Sequence, residues 1–188
     1  MTQRVIEMPD LGMGTFRLEG DTAYNSVKMA LEVGFRHIDT AQIYGNEEQV
    51  GQAIKDSNIP RSEIFLTTKV WNNKLNKTDF IASVEKSLEK LQVDSVDLLL
   101  IHWPAPSNDE PMSEYLTELL KAKQLGLTKH IGVSNFTIAN LNEAMQTLDS
   151  REIFTNQVGN RSVHLNSQSS FAIAPVKKST QNFGNKSV

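Results

Sequence analysis

The sequence predicts an α/β fold built on a parallel sheet, and three observations predict it. Short β-rich apolar runs recur about every 30 residues, amphipathic helical patterns fill the gaps, and the runs are continuously apolar instead of alternating. Continuous runs belong to strands covered on both faces, as in a barrel or a doubly wound sheet. LGMGTF near the start reads as the first strand. HID around Ile38, IFLTTKV (Ile64 to Val70), VDLLLIHW (Val96 to Trp103), IGVSNF (Ile131 to Phe136) and IFTNQV (Ile153 to Val158) follow. Between them lie helical segments: DTAYNSVKMALEVG, NEEQVGQAIKDS, KTDFIASVEKSLEKLQ, MSEYLTELLKAKQLG and TIANLNEAMQTL. In the third, Phe80, Ile81, Val84, Leu88 and Leu91 fall on one face, and the fourth is stopped by Gly126. The two glycines of LGMGTF do not make a dinucleotide fingerprint, because Arg17 stands where GxGxxG needs its third glycine.

The bulk numbers narrow the class. A chain of 188 residues, 39% hydrophobic and 22% charged, has an ordinary globular balance. At this length a domain buries roughly 70% of its unfolded surface. The net charge of -3 gives no sign of a nucleic-acid partner. With no Cys there are no disulfides and no thiol chemistry, which fits a reducing compartment. MTQRVIEMPD lacks the apolar core of a signal peptide, and no run approaches the ~20 residues of a membrane helix. The expectation is a soluble cytoplasmic protein.

Nearly every predicted strand ends in a polar residue: Asp39 with Tyr44 five positions on, Lys69, His102, Ser134 with Asn135, and Asn156 with Gln157. Singly, each has a plain reading as a turn, a helix cap, a solvated strand end or a core histidine. In a (β/α)8 barrel, however, all strand C-termini share one rim, so such residues would converge. Asp39, Tyr44, Lys69 and His102 then make a coherent acid. A free phenol titrates near 10, and a Lys cation beside it favours the phenolate and lowers that value. Asp39 would hold Lys69, and a neutral His102 would orient a carbonyl oxygen. Such an arrangement is expected to protonate an oxygen, as carbonyl reduction requires.

GMGTF, HIDTAQIYGNEEQVG, LTTKVW, DLLLIHWP, IGVSNF and TNQV resemble, in order and spacing, the motifs of the aldo-keto reductases, from about Leu11 to Val158. TAQIYGNE, IPRSEIFLTTKVW and VSNFTI are most similar to the bacterial branch of 2,5-diketo-D-gluconate reductase B, also described as methylglyoxal reductase. The resemblance implies an α/β TIM-type (β/α)8 barrel, incomplete here with about six of eight strands. It also implies reduction of small aldehydes and ketones by hydride from NADPH without a metal. It assigns Tyr44 as proton donor with Asp39, Lys69 and His102, and it assigns Ser134, Asn135 and Gln157, with Asp39, to the cofactor. Phe16, Trp71 and Trp103 match pocket aromatics, for which core packing is the competing reading. A monomer is expected of a complete family member, and self-association is open to a fragment. The alternative function is a non-catalytic fragment or a regulatory or binding module on the same fold.

Composition breaks once. Residues 1–158 hold 15 basic and 22 acidic residues, whereas 159–188 hold four basic and none acidic. Residues 1–158 therefore read as the N-terminal part of the barrel and 159–188 as a tail foreign to the family, with neither helical nor strand periodicity. Phe171, Ile173, Pro175 and Val176 are nevertheless untypical of a linker. The hypothesis is a frameshift near Val158: Gln168-Ser169-Ser170 written CAR-AGY-AGY and read one base later gives Lys or Arg, then two residues that can each be Val. That is the family's pattern at this distance from Gln157. An unclosed barrel would leave the first and sixth strands as unpaired edges.

Overall fold

The computed structural model describes residues 7–105, 110–149 and 151–159, and the backbone of 171–175. Six strands are parallel and neighbours in chain order: β1 (Met13–Gly14), β2 (His37–Asp39), β3 (Phe65–Val70), β4 (Val96–Ile101), β5 (Thr128–Ser134) and β6 (Ile153–Gly159). Between them run α1 (Gly20–Glu32), α2 (Glu47–Asp56), α3 (Phe80–Leu91), α4 (Met112–Gln124) and α5 (Ile138–Thr147). Each matches its predicted segment to within a few residues. Gly126, beyond α4, has φ +77°, the left-handed value for which glycine is suited at a helix end.

The sheet divides its side chains between two layers. Leu66, Val70, Leu99, Ile101, Ile131 and Val133 face the helices and pack with Val27, Leu31, Val50, Val84, Leu91 and Leu116. Phe65, Leu98 and Leu100 face the concave side with Met8 and Phe154. Every residue of β3 and β4 is buried, including the polar Thr67, Thr68, Lys69 and Asp97 among their apolar neighbours.

The sheet is curled, not flat. The side chain of Gln157 on β6 donates from Nε2 to Asp39 Oδ2 on β2 at 3.1 Å. Four strand spacings across a flat sheet would separate those strands by about 19 Å, beyond the reach of the two side chains. The result is an open half-barrel whose C-terminal strand ends meet at its mouth.

One expectation is corrected. A seventh strand, β7 (Phe171–Pro175), pairs antiparallel with β6, from Thr155↔Pro175 to Gly159↔Phe171. β6 is therefore not an unpaired edge, and part of the predicted tail is sheet. Open backbone N–H and C=O groups along β6 call for partners, and the short apolar FAIAP segment supplies them. Only residues 160–170 separate the two strands, fewer than a helical crossover to a parallel partner requires. Within the described residues, β1 is the parallel strand left with one open edge. No helix among them is long and apolar enough to cross a membrane.

Candidate active site

The mouth of the half-barrel is assembled from the strand ends. Asp39 closes β2, Lys69 lies one residue before the end of β3, and His102 follows β4. Tyr44 ends a tight 3-10 turn, Gln42–Tyr44, that leaves β2 and is closed by Gly45 at φ +69°. All four residues come together. Lys69 Nζ lies 2.6 Å from Asp39 Oδ1 and also donates to the Thr40 carbonyl at 2.9 Å, with both charged side chains almost wholly buried. The same Nζ sits 5.3 Å from the centre of the Tyr44 ring. His102 meets that ring edge-on at 5.5 Å.

The electrostatics follow from this packing. Burial, reinforced by the Lys69 charge and only partly opposed by Asp39, pulls His102 down to about 4. Its imidazole is therefore neutral at neutral pH, and Nδ1 has no partner among the described residues. Burial also pulls Lys69 below its ordinary value, against the opposing pull of Asp39. Tyr44 corrects the sequence expectation: its phenol is pushed up, first by burial and then by the Asp39 charge. The ammonium that was expected to lower it is directed at Asp39 and Thr40, so the phenol stays firmly protonated in this arrangement.

A second group of polar side chains borders the first. Ser134 Oγ donates to the Gln157 carbonyl at 2.8 Å, and the Asn135 amide donates to Ser134 Oγ and to the His102 carbonyl, each at 3.0 Å. Asn135 turns the chain at φ +61°, a conformation Asn tolerates better than most residues. Gln157 spends its Nε2 on Asp39, while its Oε1 is buried without a partner among the described residues. An orphaned buried acceptor is costly, and it suits a ligand that brings an N–H donor.

The aromatic residues divide. Phe16 packs on Tyr44 with ring centres 5.2 Å apart, and Trp71 meets His102 edge-on at 5.1 Å. Trp103 is 47% exposed and sits on the rim, not in the core. Sequence reasoning missed the polar frame beneath the site. Asn46 donates to the carbonyls of Thr15 and Leu18 and accepts from Thr40 Oγ1, and the buried Glu47 accepts from Thr68 Oγ1 at 2.7 Å. The signal lay in the density of polar residues in TAQIYGNE and LTTKVW, on segments that also carry Tyr44 and Lys69.

Known proteins share this arrangement of elements. The aldo/keto reductase family matches residues 10–175. Methylglyoxal reductase DkgB of Yersinia pestis is 50% identical over 153 residues, covering 81% of this chain and 57% of that protein. Glyoxal reductase of Bacillus subtilis is 44% identical over 154 residues, covering 81% and 54%. A crystal structure assigned as a 2,5-diketo-D-gluconic acid reductase B superposes with a TM-score of 0.77 at 50% identity, covering 81% of this chain and 53% of that one. The Bombyx mori aldo-keto reductase in complex with NADP has a TM-score of 0.73 at 36% identity, covering 81% and 55%. This chain thus spans little more than half the length of the relatives it matches. Over that span the half-barrel and the family match coincide, and the chain belongs to the aldo/keto reductase family.

Proposed function

We propose that the mouth of the half-barrel is the proton-donor site of an NADPH-dependent reduction of small aldehydes and ketones, of the methylglyoxal type. The observation that carries this reading is the convergence of Asp39, Tyr44, Lys69 and His102 from three strand ends and one turn, with Lys69 Nζ 2.6 Å from Asp39. The names of the methylglyoxal and glyoxal reductases among its relatives support the substrate class.

Tyr44 holds the proton and passes it to the carbonyl oxygen. Because burial raises the phenol, it remains in the donor form across the neutral range. As it loses the proton, the fixed Lys69 ammonium behind the ring offsets the developing phenolate charge, which a buried cation does more strongly than a solvated one. Neutral His102, held by burial beside Tyr44, fixes the direction of the carbonyl oxygen. The orphaned Gln157 Oε1, with Ser134 and Asn135 beside it, suits the primary amide of a nicotinamide. NADPH, when bound, supplies the hydride. Phe16 and Trp71 exclude water from the two rings they touch.

In Tyr44→Phe the ring and its packing remain and the proton is lost. Carbonyl reduction is expected to fall at least about 100-fold while affinity for NADPH stays within about twofold; full turnover by the variant would refute the assignment. The absence of Cys supports placing the protein in the cytoplasm. The composition break at Val158 belongs to the same proposal as a change of reading frame, although the family match runs across it to residue 175. Nucleotide sequence around the Val158 codon tests it: a one-base shift should restore a frame encoding further strand-helix units, and no such frame would overturn it.

A further inference from the structure

The turn that carries Tyr44 is fastened from outside the barrel, through Gln42. Its amide orientation is fixed by its partners, since Oε1 accepts from the Trp71 backbone N–H at 3.0 Å and Nε2 faces only acceptors. Those acceptors all lie on α3: the Ser83 carbonyl at 3.1 Å, Ser83 Oγ at 3.2 Å and Ser87 Oγ at 3.2 Å. One side chain thereby joins three elements: the Tyr44 turn, the chain leaving β3 two residues after Lys69, and a helix of the outer layer. Two of these elements lead back to the site. Tyr44 is two residues along the turn from Gln42, and Trp71 packs its ring on His102, which packs on Tyr44.

Ser87 extends the tie. It is 1% exposed, accepts from Gln42 and donates to the Ser83 carbonyl at 3.2 Å, so the α3 partners of Gln42 are themselves held by the helix. The route from α3 therefore reaches the Tyr44 turn through Gln42. The Gln42 side chain is also half-buried on a cavity of about 410 Å³ between the turn and α3, also lined by Ile43, Trp71 and Lys90, so the turn has space behind it into which it could retreat. A 3-10 turn of three residues with no side-chain cap has little rigidity of its own. Sites held by supporting hydrogen bonds keep their geometry to within a fraction of an ångström, and loosening that support is a common way to lose function.

We propose that Gln42 is the positioning residue of the donor, holding the Tyr44 turn and Trp71 at a fixed distance from α3 so that the phenol stays packed between Phe16 and His102. This rests on the reading of Tyr44 as proton donor only for its effect on rate; the placement itself can be measured without turnover.

Gln42→Met keeps the length of the side chain and removes both hydrogen-bonding ends, and Ser87→Ala removes an acceptor on the helix without touching the mouth. Tyr44 is followed by ¹³C-tyrosine NMR titration against Tyr24 and Tyr115, and identified by its loss in Tyr44→Phe. Amide exchange at Trp71 is followed in the same samples. Asp39 and Lys69 from the strands and His102 from beyond β4 face the phenol in both proteins, so a change in its titration reports its burial. In Gln42→Met the phenol should titrate nearer the ordinary 10, and the Trp71 amide should exchange at least about tenfold faster. Ser87→Ala should shift both in the same direction by less. Where turnover is measured, Gln42→Met should lower kcat about tenfold with KM within about twofold, and Gln42→Glu, which keeps the acceptor for Trp71, should restore the Trp71 protection. Unchanged Tyr44 titration and Trp71 exchange in a folded Gln42→Met, or in Ser87→Ala if Gln42→Met does not fold, would overturn the proposal. Full turnover in Tyr44→Phe would instead overturn the proton-donor role and leave the Gln42 tie standing.

Discussion

The middle of the sheet and its last parallel strand are built differently. In β3 and β4 all six residues of each strand are buried and the pairing runs without interruption. In β6 burial alternates and ends in two exposed residues, Val158 and Gly159, and the register against β5 shifts between Ile131 and Val133. Lys69 stands in the first region and His102 follows it directly, whereas Gln157, with its unpartnered acceptor among the described residues, stands on the second. Under the proposed function, proton donation is therefore tied to the core and cofactor orientation to the margin. Damage in the middle should cost the whole fold, and damage at β6 should cost binding first.

The largest effect should come from breaking the buried pair in the middle. Lys69→Met leaves the Asp39 carboxylate in the core with only the Gln157 side chain donating to it among the described residues, and Asp39→Asn leaves the ammonium without its counter-charge. Each is expected to lower stability by about 3–5 kcal/mol, and the double variant by less than the sum, read from denaturant unfolding. Equal losses of well under 1 kcal/mol would mean that the pair is not part of the core.

Acid probes the same region. The unfolded His102 imidazole takes a proton near 6.5 and the folded one only near about 4. Between those values the unfolded chain binds more protons, so stability falls as pH drops through that window, by up to about 1.4 kcal/mol per pH unit. Burial lowers His37 in the same direction. His102→Gln should therefore flatten the slope without abolishing it; an unchanged slope would place His102 in water.

At the margin, Gly132→Ala is the sharper tool. An added Cβ would lie 2.6 Å from the Thr155 carbonyl oxygen and 2.9 Å from Leu100 Cδ2, pressing β6 away from β5. The expected cost is about 1–3 kcal/mol, with faster amide exchange in β6 and little change in β3 and β4. Uniform acceleration through the sheet would erase the distinction between the two regions. The smallest effect should come from Thr137, whose side chain and that of Asn140 cap α5 reciprocally. Thr137→Ala should cost about 1 kcal/mol by thermal unfolding and leave the mouth untouched.

The same contrast governs how much could be read from sequence. β3 and β4 announce themselves because strands covered on both faces are mainly apolar, Thr67, Thr68, Lys69 and Asp97 being the exceptions, and Asp39, Lys69 and His102 could be placed because parallel strands end on one rim. Tyr44 was found with them, but the sign of its titration was not, because it depends on where the Lys69 ammonium points and on how deeply the ring is buried. Gln42, Asn46 and Glu47 escaped for a related reason: a polar residue in a turn looks alike whether it faces water or holds two elements together. β7 was missed because pairing with an open strand edge depends on backbone groups that every residue carries: Phe171, Ile173 and Pro175 stood out from a linker, but nothing in them pointed to β6 as a partner.

The most direct test of the central claim is the oxidation of NADPH by the 188-residue chain with methylglyoxal, measured beside Tyr44→Phe at matched cofactor occupancy. Turnover is expected in the first and a loss of at least about 100-fold in the second. Equal rates in the two, or no turnover in either while both bind NADPH, would contradict it.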